Sequence, residues 1–138
     1  MARWTCPRCD REFDRTNQSH TCSPGNDIAD TFIGSPDGQC AACLAVVAYL
    51  RTLGPLHVDA VRVGVFLKTQ RKLAEVRPKS RWASLELVLP TTLASPRVTR
   101  SARLSDDRIV HWIRLVGPED VDGELEEWLR LAYDAATD

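Results

Sequence analysis

Nothing in this 138-residue chain is long enough, or apolar enough, to cross a bilayer. The longest near-apolar run, CAACLAVVAYL from Cys40 to Leu50, falls well short of the roughly 20 residues a spanning helix needs. No apolar signal core stands at the amino end, so a cytoplasmic protein is expected, with no membrane partner. The fingerprints GxSxG, HExxH, the phosphate loop and the dinucleotide glycine motif are all absent. Asp106 and Asp107 are adjacent but read as a turn. Glu86 is the one acid inside the clear strand 82–89, and no lysine stands two residues beyond it, which removes a nuclease-like arrangement. No residue is assigned a catalytic role, and an enzyme is not the favoured expectation. The net charge of −1 lacks the strong basic excess usual in DNA-binding domains.

What is present is ordinary globular material: 43% apolar and 27% charged residues, enough for one compact domain with a small appendage. The five cysteines are an odd number in a chain without an export signal, which favours metal binding over disulfides. Four potential ligands crowd into WTCPRCDREFDRTNQSHTC: Cys6, Cys9, His20 and Cys22, in the pattern C-x2-C-x10-H-x-C. A CxxC turn aims two sulfurs at one ion, and the following loop returns an imidazole and a third thiolate. Three thiolates and one imidazole make a closed tetrahedral set, the mark of structural zinc. The segment has little beyond Trp4 and Phe13 to bury. Metal binding would supply its folding energy, on the order of 10–16 kcal/mol for zinc-finger peptides. Cys40 and Cys43 form a second CxxC. A site shared with Cys6 and Cys9, or a redox pair, is the alternative to plain core packing, which the apolar surroundings favour.

The domain plan is a zinc-knuckle-like module over 1–24, a linker with one helical turn over 25–38, and an α+β domain over 39–138. A buried helix is expected from about Pro36 to Leu53, capped by Ser35 and stopped by Gly54-Pro55. In VDAVRVGVFL, Val61, Val63, Val65 and Leu67 alternate onto one face. KLAEVRP is a short strand, and WASLELVLP turns Leu85, Leu87 and Leu89 one way. RVTRSARL reads as a weak strand or loop. In RIVHWIRLV, Ile109, His111, Ile113 and Leu115 share one face and Val110, Trp112 and Arg114 the other. A final helix is placed from Pro118, with Val121, Leu125, Trp128, Leu129, Ala132, Tyr133 and Ala136 as its apolar stripe. The expectation is an antiparallel sheet of about four strands, with two main helices on one face.

Charge is segregated along the chain. Between Arg62 and Trp82 seven Lys and Arg face Glu75 alone, whereas Arg130 is the one base in the acidic stretch from Gly117 to Asp138. Lys68, Arg71, Arg77, Lys79 and Arg81 flank an expected hairpin beside Trp82, a set suited to nucleic acid or another anionic partner. The competing accounts are a solvated edge that resists aggregation, or pairing with the acidic last helix. Alternative functions are a small-molecule site or unrecognised enzyme, with His111, Trp112 and Lys68 lining a pocket, and a protein-interaction domain or homo-oligomer.

The N-terminal cysteine motif, a helix ending in LGP, RWASLELVLP and DVDGELEEWLRLAYDAA together resemble a bacterial family, the domain of unknown function 5655, over essentially the whole chain. The resemblance implies an α+β domain of about one hundred residues, similar to modules appended to predicted restriction or defence nucleases. It brings no established activity and no catalytic residue. Members carrying an N-terminal CPxC…HxC segment match Cys6, Cys9, His20 and Cys22, while Asp10 departs from the glycine that often follows the second cysteine. Elemental analysis of the purified protein should find one zinc per chain; a ratio near zero would remove the knuckle.

Overall fold

The computed structural model describes residues 27–137 and, before them, two short strands, β1 (Trp4–Thr5) and β2 (Glu12–Phe13). These two pair antiparallel, Trp4 opposite Phe13 and Thr5 opposite Glu12. The zinc-ligand candidates Cys6, Cys9, His20 and Cys22 lie outside the described residues.

A short helix, α1 (Ile28–Thr31), falls where the linker's helical turn was expected. It docks on the edge of the main sheet, where the Thr31 hydroxyl donates to the Val61 carbonyl at 2.7 Å and Phe32 is buried. The long helix α2 (Asp37–Leu53) follows. Ser35 does not cap it, as the sequence suggested. Pro36 occupies the N-cap position itself at φ −54°, and the Ser35 amide instead closes the turn after α1 by donating to the Phe32 carbonyl. Ala42, Cys43, Val46, Val47 and Leu50 make its buried stripe. A side chain at Gly38 would collide with the Val116 carbonyl, so α2 meets the chain after the last strand almost backbone to backbone.

Six strands, not four, form the main sheet: β3 (His57–Val61), β4 (Gly64–Lys68), β5 (Lys72–Pro78), β6 (Ala83–Leu89), β7 (Val98–Ser105) and β8 (Arg108–Leu115). Their order is β3-β4-β5-β6-β8-β7, antiparallel throughout. Two differences from expectation explain the count. VDAVRVGVFL is not one strand: the chain reverses at Arg62-Val63, with Val61 opposite Gly64, and Val63 is exposed. RVTRSARL is a full strand, β7, on the outer edge beside β8. The remaining alternations stand. Leu85, Leu87 and Leu89 lie opposite Ile113, His111 and Ile109, all on the face that meets the helices.

The last helix, α3 (Gly123–Thr137), starts later than Pro118. Pro118–Asp120 form a separate 3-10 turn, fixed by the Asp120 carboxylate accepting from the Val116 and Gly117 amides. The Asp122 carboxylate then accepts from the Leu125 amide, as an N-cap does. Leu125, Trp128, Leu129, Ala132, Tyr133 and Ala136 are buried, and Val121 packs against the core from outside the helix. α3 packs on β5 and β6, and α2 on β6 and α3, so one layer of helices covers one face of the sheet.

α2 ends as the sequence indicated, at Gly54, whose φ of 151° and ψ of −164° suit glycine alone. An added Cβ there would lie 2.5 Å from the Tyr133 hydroxyl, which donates to the Pro55 carbonyl at 2.8 Å. Gly54→Ala should therefore lower stability in urea unfolding by about 1–3 kcal/mol, and Tyr133→Phe by about 1 kcal/mol.

Candidate anion-binding site on the open sheet face

Because the helices cover one face, the other must satisfy its own side chains. One row of cross-strand partners runs over all six strands: Asp59, Phe66, Glu75, Glu86, Trp112 and Arg100. Glu75 and Glu86 stand directly opposite, an unfavourable pairing on its own. Lys72 resolves it, with its ammonium 2.6 Å from Glu75 and 3.9 Å from Glu86 and 5.3 Å from the centre of the Phe66 ring. Arg77 donates to the second Glu75 oxygen. Glu75 is only 1% exposed. Burial pushes its carboxyl up, but the hydrogen bonds from Arg77 and Lys72 outweigh that and hold it below the usual carboxylate range.

Toward β7 the face turns cationic and aromatic. The Trp112 indole N–H donates to Glu86 at 2.9 Å, which fixes the ring, and the Arg100 guanidinium lies 4.5 Å from its centre. Two residues along β8, Arg114 lies 4.0 Å from the centre of the Trp82 ring. Arg100 and Arg114 are exposed and have no carboxylate partner among the described residues.

The five basic residues singled out by sequence do not converge. Successive turns of an antiparallel meander fall at opposite ends of the sheet. Lys68 closes β4, and Arg71 in the next turn binds the carboxyl end of α3, its Nη2 donating to the Ala135 carbonyl at 2.7 Å. Arg77, Lys79 and Arg81 belong to the other end. There they meet two cations the candidate set omitted, Arg62 of the β3–β4 turn and Arg114. Gly64 packs against Arg77, and Ser84 pairs with both Arg77 and Arg114. Adjacent to this end is a cleft of about 520 Å³ lined by Arg62, Lys79, Ser35, Ser80, Ile33 and one carboxylate, Asp30. Asp30 is already engaged, accepting from the Asp27 amide at 3.1 Å. Arg62 and Lys79 have no ion pair among the described residues. Buried Gln39 holds the Lys79 turn: its Nε2 donates to the Lys79 carbonyl at 2.6 Å, and its Oε1 accepts from the Lys79 amide at 3.3 Å. No sequence signal marks Gln39. It stands one residue from a cysteine in an apolar helix.

A contact joins the basic segment to the acidic last helix, that of Arg71 with the Ala135 carbonyl. Lys72 and Arg77 pair with Glu75, Lys72 also approaches Glu86, and the cation that reaches Asp122 and Glu124 is Arg97, at 2.8 and 3.3 Å. His111, Trp112 and Lys68 do not line a common pocket. His111 is fully buried on the helix face, with Nε2 accepting from the Leu93 amide and Nδ1 bonded to the Ile109 carbonyl. Trp112 lies on the opposite face, and Lys68 lines a cleft with His57 at the sheet's end. Cys43 is buried, and burial with Cys40 nearby pushes its thiol up to about 12, so it packs as a small apolar side chain. Among the described residues no cluster suits a metal ion and no buried polar side-chain atom lacks a partner.

These features define a two-layer α+β domain with one helix-covered face and one open, cationic-aromatic face. A family model described as a domain of unknown function (DUF5655) matches residues 36–136, and the chain belongs to that family. No curated protein and no solved structure matches it.

Glu75 gives this face a pH signature. Its folded pKa is depressed, so its stabilising contribution is present above the ordinary carboxylate range and is lost as pH falls through the lower folded value. Glu75→Gln should be clearly less stable than the parent at pH 7 in urea unfolding, and the difference should shrink in acid. A difference independent of pH would show that the charge is not what matters.

Proposed function

We propose that the protein is a binding module for an anionic partner, assembled around the Arg62–Lys79 cleft and the adjoining cations of the open face. The observation that carries this is the convergence of Arg62, Lys79, Arg81 and Arg114, from separate parts of the sequence, at one end of the sheet, with no carboxylate partner for any of them among the described residues. A fold that needed these charges only for solubility would have no reason to gather them beside hydroxyls and a half-buried ring.

The amino-terminal segment is proposed as a structural zinc unit of Cys6, Cys9, His20 and Cys22. Supporting this, β1 and β2 pair on either side of the segment that carries Cys6 and Cys9, as a knuckle requires. Self-association through β7 is less favoured. Edge-to-edge pairing would bring Arg100 and Arg103 of two copies together on a strand that bears no acid.

A short-chain polyphosphate should bind at low salt and weaken steadily as salt rises. The double variant Arg62→Ala, Lys79→Ala should bind at least about tenfold more weakly, whereas Lys68→Ala, at the far end, should bind as the parent does. Equal affinity of parent and double variant would overturn the proposal.

A further inference from the structure

We infer that the anionic partner is a single-stranded nucleic acid whose bases stack along β8, on the Arg100–Trp112 and Arg114–Trp82 pairs. This rests on the anion-binding function proposed above and goes further, because it assigns work to the aromatic rings as well as to the charges.

Each pair is a guanidinium lying over an indole, 4.5 Å from the ring centre in one and 4.0 Å in the other. Both guanidinia are exposed, and both rings are half-buried. The outer plane of each arginine is therefore the surface offered to solvent. Such a plane accepts a base by stacking while its N–H groups remain available to phosphate. The Trp112 N–H bond to Glu86 prevents the first ring from rotating away, and the Lys79–Trp82 backbone bond at 3.0 Å closes the turn that carries the second.

Spacing selects a single strand. Arg100, opposite Trp112, and Arg114 stand on neighbouring strands two register positions apart, about 7 Å along the strand direction. That is about twice the 3.4 Å separating successive nucleotides of a duplex strand. Two bases seated on these pairs are splayed apart, which an unpaired strand permits and a duplex does not. Arg100 and Arg114 themselves carry the charge that phosphates along this line would meet, and the turn that bears Trp82 also bears Arg81 and Lys79. The acids nearest this line, Glu75 and Glu86, do not block it. Glu75 is neutralised by Lys72 and Arg77, and Glu86 is occupied by the Trp112 N–H and lies near Lys72.

The experiment compares three probes on the full-length protein at low salt: a short oligothymidylate, an abasic oligodeoxyribose phosphate of equal length, and a duplex of equal phosphate count. The expected result is binding of oligothymidylate with quenching of tryptophan fluorescence, and binding of the other two about tenfold or more weaker. Arg114→Lys, which keeps the charge of the anion site and removes the planar stacking surface, should narrow that gap while leaving polyphosphate binding measurable. Equal binding of oligothymidylate and the abasic chain would overturn the stacking inference and leave the anion-binding function standing. Tighter binding of the duplex would also overturn it. Failure of all three probes and of polyphosphate would remove both.

Discussion

Two helices can cover one face of a six-stranded sheet, and the open face must then keep its backbone ladder, its half-buried rings and its charges in balance against water. The centre of that balance is the ion cluster around Glu75. A carboxylate 1% exposed, opposite a second carboxylate, would be costly alone. Lys72 and Arg77 make it tolerable by direct hydrogen bonds. Removing either partner leaves a buried charge undercompensated, so the cluster is a constraint on the fold more than a source of stability. It also divides the neighbouring cations by partner. Lys72 and Arg77 are committed to Glu75, whereas Arg100 and Arg114 sit over rings instead of carboxylates.

The division of the basic segment follows from hairpin geometry. Residues 62–82 are contiguous in sequence, yet each reversal sends the next turn to the opposite end of the sheet. A run of charge in sequence thus becomes two clusters in space. Arg71 goes to the carboxyl end of α3, where a cation meets the helix dipole. Arg62 and Lys79 go to the other end, where the hydrogen bonds of Gln39 hold the Lys79 turn against α2. The outer edge has its own protection. β7 is almost wholly exposed, but Arg100 and Arg103 and two irregularities in its register with β8 make it a poor template for another strand.

Much of this was legible in the sequence, for identifiable reasons. Alternation in Leu85–Leu89 and Ile109–Leu115 is strict because one face meets the helices and the other does not. The helix that carries the apolar run Cys40–Leu50 ends at Gly54, whose conformation only glycine adopts readily. Other features were hidden. The reversal at Arg62-Val63 has two residues not typical of tight hairpins at its centre, so Val61, Val63, Val65 and Leu67 looked like one continuous face. β7 looked weak because an edge strand exposed on both faces shows no hydrophobic period. The cation site was half visible. Lys79 and Arg81 stood out by density, while Arg62 and Arg114 join them only through register, which no local pattern encodes.

Register also bears on the small net charge. The chain sums to −1, a value that by itself argues against a polyanion as partner. The sum mixes two layers. Glu124, Glu127 and Asp134 are exposed on α3, in the helix layer, whereas Arg100 and Arg114 project from the far side of the sheet. A helix with its side chains is about 10–12 Å across, and the Debye length at physiological ionic strength is about 8 Å. Acids on the outer side of α3 are therefore largely screened from a ligand lying on the open face. What such a ligand meets is the local field of arginines stacked on indoles, and that field is positive whatever the total.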